Sequence, residues 1–270
     1  MTEGLLTPAG HPTALRQWGE GDRQVLALHC SLAHAGAWSG LAAELPGCRI
    51  TAPDLPGHGR SADWTGAPDL HDLTTAVVAD LAAGLGGAVD LVGHSFGATV
   101  ALRLALEQPG LIRSLTLIEP VLFAAALQAD APEWQDFVAG YQGVQDHIGQ
   151  DDRLAARDFH GRWGIGAFDR LPPVQQDYMI ARMPLVRGQS PVLLEDAARM
   201  LVPGRLEALD RPVLLIDGAD SPPIIGAIHR ALAARLPRVS RFTVPGAGHM
   251  VPITHSSLVA MQLRAHLSTT

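Results

Sequence analysis

The pentapeptide Gly93-His94-Ser95-Phe96-Gly97 restricts the fold of this chain more than any other stretch. It follows the strand-like run Val89 to Val92 and opens a helical pattern from Phe96 to Glu107. Two glycines around a serine let neighbouring backbone approach a strained strand-to-helix turn, and that turn pushes the hydroxyl out of the sheet into a cleft. A helix beginning there offers unpaired N–H groups and a positive dipole end. The Phe96 N–H is therefore a candidate donor to an oxyanion. A chance G-x-S-x-G in a chain with 28 glycines is the competing explanation. The strand before it and the helix after it argue against chance.

The same alternation recurs along the chain. Val25 to His29, Arg49 to Ala52, Ser114 to Ile118, Val213 to Ile216 and Arg241 to Val244 read as further buried strands. Ala37 to Leu45, Leu70 to Leu85, Ile224 to Leu236 and Ser257 to His266 read as helices between or after them. Such a series predicts an α/β fold: a mostly parallel sheet covered by helices on both faces. Thr13 to Gly19 is expected to add an antiparallel edge strand. At 270 residues and 47% hydrophobic, the chain can bury the core this requires.

Between about Phe123 and Pro203 the strand-like runs stop and aromatic residues gather. About 80 residues are too many for a plain loop. The expected organisation is a core in two parts, residues 1–122 and 204–270, with a helical cap at 123–203 over one end of the sheet. Trp134, Phe137, Tyr141, Phe159, Trp163 and Met183 become candidates for an apolar substrate wall, although such residues are more often the cap's own core than substrate contacts.

Charge and cysteine content exclude several classes of function. Net charge is −7, and all 20 basic residues are arginine, with no basic cluster to hold a phosphate backbone. Nucleic acid is not an expected partner. Cys30 and Cys48 by themselves make neither a disulfide framework nor a four-ligand zinc site, so no metal is expected. The first residues lack a basic stretch followed by an apolar one, and no apolar run reaches about 18 residues. A cytoplasmic protein without a membrane span is the expectation.

These motifs together resemble the α/β-hydrolase family, over essentially the whole chain outside the cap. Leu28-His29-Cys30-Ser31 is similar to the family's His-Gly-x loop, with Cys30 where glycine is usual; the resemblance implies the Ser31 N–H as second oxyanion donor. Asp54-Leu55-Pro56-Gly57-His58-Gly59-Arg60-Ser61 resembles the family's D-x-P-G-x-G-x-S turn, in which His58 is read as structural. Among 12 histidines, His249 in Gly246-Ala247-Gly248-His249 lies just past the last strand, where the family places its catalytic histidine. His29 and His94 read as loop-shaping neighbours, and His255 has no assigned role.

The triad acid has two candidates. The family commonly supplies it from a G-x-x-D pattern after the strand Val213 to Ile216. Here Gly218-Ala219-Asp220-Ser221 puts serine at that spacing and Asp220 one residue early. Glu119, at the end of Ser114 to Ile118, matches the position used by some members, the haloalkane dehalogenases among them. A carboxylate there needs a charged or hydrogen-bonding partner, which an imidazole N–H would be. Glu119 is favoured over Asp220, and Asp217 is a distant third.

The resemblance implies a serine hydrolase acting through an acyl-enzyme, with His249 as general base and no metal or organic cofactor. A serine at position 95 argues against dehalogenase or epoxide hydrolase chemistry, which use aspartate at that turn. A small or medium apolar carboxylic ester is the expected substrate. Lactones, thioesters, C–C bonds and acyl transfer remain as alternatives on the same fold, and a ligand receptor as the non-enzymatic one. Oligomeric state is not readable from these residues.

Overall fold

The computed structural model describes residues 1–67 and 69–270. In chain order the first elements are β1 (Thr2–Leu6), β2 (Thr13–Trp18), β3 (Arg23–Leu28), α1 (Ser39–Ala43), β4 (Cys48–Pro53), α2 (Leu70–Gly84), β5 (Val89–His94), α3 (Phe96–Glu107) and β6 (Ile112–Ile118). Five helices then intervene: α4 (Phe123–Gln128), α5 (Glu133–His147), α6 (Asp152–Trp163), α7 (Pro173–Ile180) and α8 (Met183–Glu195). The chain returns through β7 (Val213–Gly218), α9 (Pro223–Ala233), β8 (Val239–Val244), α10 (Val251–Thr254) and α11 (Ser256–Leu267).

The strands form one sheet in the order β1-β2-β4-β3-β5-β6-β7-β8. β1 and β2 pair antiparallel, as do β2 and β4, and every later pairing is parallel. A mostly parallel sheet with helices on both faces is the α/β architecture expected from strand–helix alternation. Successive side chains on the central strands point to opposite faces. Leu26 and Leu28 of β3 join the core under α2, α3 and α9, whereas Val25 and Ala27 join the core under α1 and α11. Burial on both faces is why these strands read as continuous apolar runs.

Two features depart from the expectation. Thr13–Trp18 is antiparallel but not the edge, because β1 pairs outside it with Thr2 opposite Gln17. All five residues of β1 are exposed, so no apolar alternation marks it; it pairs through its backbone with β2, and Glu3 faces Arg16 at 3.2 Å and Arg60 at 2.8 Å. The expected single helix Ala37 to Leu45 is a 3-10 turn, Ala35–Trp38, running into the short α1.

Residues of α5, α6 and α8 face Ser31, Ser95 and Val121, which follow the carboxyl ends of β3, β5 and β6, across a shared pocket. Val144, Ile148, Ala155, Ala156, Phe168, Met183 and Val186 make a small core among themselves. Phe137, Tyr141, Trp163 and Leu193 instead merge with the core of the sheet. Asp151 caps α6 by accepting from the Leu154 N–H at 2.9 Å, and Asp69 caps α2. Among the described residues, no helix is long and apolar enough to cross a membrane.

Candidate active site

The turn after β5 shows why its sequence admits so few alternatives. Ser95 has φ +55° and ψ −118°, a conformation that costs a non-glycine residue roughly 1–3 kcal/mol. A Cβ added to Gly93 would lie 2.4 Å from the Gly97 carbonyl oxygen, and one on Gly97 would lie 2.4 Å from that of Leu28. Both obstacles are backbone, which cannot swing aside. The turn thus requires glycine on both sides of the serine, and α3 follows directly from it.

Ladder bonds continue past the strand ends and set neighbouring residues side by side. The Ser95 N–H donates to the Ile118 carbonyl at 2.9 Å, and the Glu119 N–H donates to the Ile216 carbonyl at 2.9 Å. Glu119, at φ +53°, is completely buried. Its Oε1 accepts from the Gly218 N–H at 2.6 Å and from the Ser221 hydroxyl at 2.7 Å. Its Oε2 faces His249 Nδ1 at 2.8 Å, and His249 Nε2 lies 3.0 Å from Ser95 Oγ. With Nδ1–H donating to the carboxylate, Nε2 carries the lone pair and is free to accept the serine proton.

Of the sequence candidates for the acid, the structure brings Glu119 to the histidine. Asp220 lies exposed in the turn after β7, where its backbone N–H donates to the Ala247 carbonyl at 2.9 Å. Asp217 is bound elsewhere, accepting from the Thr243 hydroxyl at 2.7 Å. The physical reason is placement: Glu119 directly follows β6, tied to the Ile216 carbonyl of β7 and buried, whereas Asp220 lies exposed in the turn after β7. Ser221, which stands at the acid's usual spacing, contributes a hydroxyl that holds the acid supplied by β6.

Burial fixes His29, His58 and His94 near the site in the neutral form. His94 Nε2 donates to the His249 carbonyl at 2.9 Å, and burial followed by the nearby His249 pushes its pKa down to about 3. His29 accepts from the Leu55 N–H at Nε2, 2.9 Å, so its Nδ1 carries the proton and donates to the Cys30 carbonyl at 2.7 Å. Burial holds the His29 pKa well below the ordinary value. His58 donates from Nδ1 to the Pro56 carbonyl at 3.0 Å and is likewise depressed by burial, to about 4. Asp54 accepts from the Ala35 and Arg60 N–H groups, which closes the turn of the Asp54–Ser61 segment. The His255 ring is hydrogen-bonded to the neighbouring Thr254 hydroxyl at 2.8 Å.

Two cavities meet at Ser95. The outer cleft, about 220 Å³, has walls from the Cys30–Ala33 loop, the end of α6 and the α7 region, and His249 lines it. The inner pocket, about 20 Å³, runs under the helical insert. Ser31 borders both. Leu32 beside it has φ +60°, so this loop, like the serine turn, stores backbone strain. Phe96 supplies the first helical N–H of α3, a position with no earlier carbonyl to serve.

Of the six aromatic and methionine candidates, three reach these cavities. Phe159 and Trp163 line both, and Tyr141 lines the inner one. The Trp163 ring lies 4.7 Å from the His249 ring, centroid to centroid. Trp134, Phe137 and Met183 line neither cavity. Phe137 stacks behind Phe123 at 4.2 Å, Trp134 packs outside Phe137 at 5.8 Å, and Met183 is buried in the insert's own small core. The helical period places side chains on all sides of each helix, and composition does not say which side faces the cleft. Residues absent from the sequence reading also line the inner pocket: Val121, Phe123, Val186, Gln189 and Leu193.

A family model described as the alpha/beta hydrolase family matches residues 25–262. A lipase, LipV, of Mycobacterium tuberculosis is 30% identical over 261 residues, covering 92% of this chain and 94% of its own length. A pimeloyl-[acyl-carrier protein] methyl ester esterase of Xanthomonas campestris pv. campestris is 32% identical over 253 residues, covering 91% of this chain and 94% of its own. Among solved structures, a thermophilic esterase from Thermogutta terrifontis superposes with a TM-score of 0.74 at 21% identity, covering 100% of this chain and 99% of its own.

Proposed function

This chain belongs to the alpha/beta hydrolase family and is a hydrolase of esterase type, and from that premise we propose that it cleaves small to medium apolar carboxylic esters through an acyl-enzyme on Ser95. The observation that carries this reading is the hydrogen-bonded chain Ser95–His249–Glu119 opening between two largely apolar cavities.

His249 Nε2 takes the Ser95 proton as Oγ bonds to the ester carbonyl carbon. The carbonyl oxygen becomes an oxyanion, held by the Ser31 and Phe96 N–H groups. Glu119 keeps the imidazole in the receptive tautomer and stabilises its charged form. The tetrahedral species collapses by breaking the bond to the alkoxy oxygen, which leaves with the proton from Nε2. Water then attacks the acyl-enzyme, gives its proton to the same nitrogen, and releases the acid and free serine.

The two cavities fit the two halves of an ester. The leaving alkoxide must reach the imidazole that protonates it, and His249 lines the outer cleft alone. The alcohol therefore belongs in the outer cleft and the acyl group in the inner pocket. At about 20 Å³ the inner pocket holds about one water, so it favours a short acyl chain.

A panel of p-nitrophenyl esters tests this. The value of kcat/KM is expected to peak at acyl chains of about two to four carbons, where the pocket is filled without strain, and to fall by about tenfold or more at eight. Turnover unaffected by acyl length, or none with any ester, would remove the reading. Products formed with added alcohol distinguish hydrolysis from acyl transfer.

A further inference from the structure

Gln189 is the one feature of the inner pocket that ester hydrolysis does not use. It sits on α8, is 2% exposed, and lines the pocket beside Ser95. Its Oε1 accepts from the Ser31 hydroxyl at 2.7 Å, which fixes the amide, while Nε2 has no hydrogen-bond partner among the described residues. The rest of the pocket is Val121, Phe123, Phe159, Trp163, Val186 and Leu193, with the Tyr141 ring and the two serines already assigned.

A buried amide donor without an acceptor is costly, and an apolar acyl chain that displaced water from it would leave it stranded. A chain carrying an oxygen at that place would satisfy it. We propose that the inner pocket selects acyl groups with a hydrogen-bond acceptor, an ether or carbonyl oxygen two or three bonds beyond the scissile carbonyl, and that Gln189 Nε2 donates to it. This rests on the reading of Ser95 as nucleophile and of the inner pocket as the acyl site. Gln189 is then a specificity-determining residue as well as the anchor of the Ser31 loop.

The test compares esters that differ by one CH2-to-O exchange: p-nitrophenyl 3-methoxypropanoate against pentanoate, and methoxyacetate against butanoate. The readout is the ratio of kcat/KM within each pair in the natural enzyme, divided by the same ratio in Gln189→Met. That division cancels the intrinsic reactivity of the esters and any general loss of rate. For at least one pair the natural enzyme is expected to favour the oxygen-bearing ester by about 5- to 150-fold more than the variant does. Gln189→Glu, which replaces the donor by an acceptor, is expected to lose the preference too.

Ratios equal within about twofold in the natural enzyme and Gln189→Met, with hydrolysis intact, would overturn the pocket assignment while leaving the esterase reading standing. Calorimetric Kd values for the same ester pairs on Ser95→Ala, with and without Gln189→Met, judge the pocket independently of turnover. Equal Kd ratios there overturn the proposal even if no ester is hydrolysed.

Discussion

Replacing Glu119 by glutamine tests the arrangement around His249 with almost no change in shape. The carboxylate accepts three hydrogen bonds, two on Oε1 from Gly218 and Ser221 and one on Oε2 from His249. An amide has one oxygen. It is expected to stay with the two donors at Gly218 and Ser221, which turns the NH2 group toward His249. An NH2 donating to Nδ1 forces the proton onto Nε2, and that nitrogen then has no lone pair for the Ser95 hydroxyl. Misassigning the tautomer in such a triad costs about 10⁴ in kcat, equivalent to about 5 kcal/mol of transition-state stabilisation. Steady-state kinetics on Glu119→Gln should show kcat lowered by about 10³- to 10⁴-fold with KM changed little, because the cavities are untouched. Asp220→Asn, in an exposed turn, should stay within about threefold of the natural enzyme. A Glu119→Gln enzyme within tenfold of the natural one, or an equal loss in Asp220→Asn, would refute this reasoning.

Other perturbations separate the site from its scaffold. Asp90, buried at the amino end of β5, accepts from Arg23 at 2.6 and 3.0 Å, Arg113 at 3.0 Å and Ser114 at 2.7 Å. Asp90→Ala should therefore lower stability by about 2–3 kcal/mol, discounted from the fully buried case because both arginines are partly solvated. Denaturant melts would read this, with kcat/KM nearly unchanged. Gly97→Ala drives a methyl into the Leu28 and His29 carbonyls, 2.4 and 2.6 Å away. It should cost about 1–3 kcal/mol and displace Ser95 enough to lower kcat by about 100-fold. Burial holds His29, His58, His71 and His94 neutral, with pKa values below the unfolded 6.5. The unfolded chain therefore binds more protons as pH falls below about 6.5. Stability at equilibrium should be insensitive to these groups above that pH and decline below it, with a slope approaching about 5 kcal/mol per pH unit near pH 5. A flat profile from pH 7 to 4.5 would contradict their neutral burial.

The sheet and the nucleophile were readable in the sequence because the same constraint acts locally and globally. Gly93 and Gly97 are demanded by backbone carbonyls a few ångströms away, and β5 is apolar because both its faces are covered. Glu119 was legible for a related reason: it directly ends a buried strand, where an unpartnered carboxylate would be expensive. β1 left no trace, since exposed backbone pairing leaves no apolar period. The walls of the cavities were only half legible. Trp134, Phe137, Trp163 and Tyr141 look alike in composition, and which of them faces Ser95 depends on how α5 and α6 are rotated against the sheet. Gln189 reads as an ordinary polar residue of a helix, and nothing local to it says that it is 2% exposed beside Ser31.

The central claim is that Ser95 is an activated nucleophile, and a fluorophosphonate probe followed by intact-mass and peptide analysis tests it most directly. One covalent adduct per chain, located on Ser95, lost in Ser95→Ala and slowed by orders of magnitude in His249→Ala, is the expected result. Adduct formation on another residue, or ester hydrolysis that continues at full rate in Ser95→Ala, would contradict it.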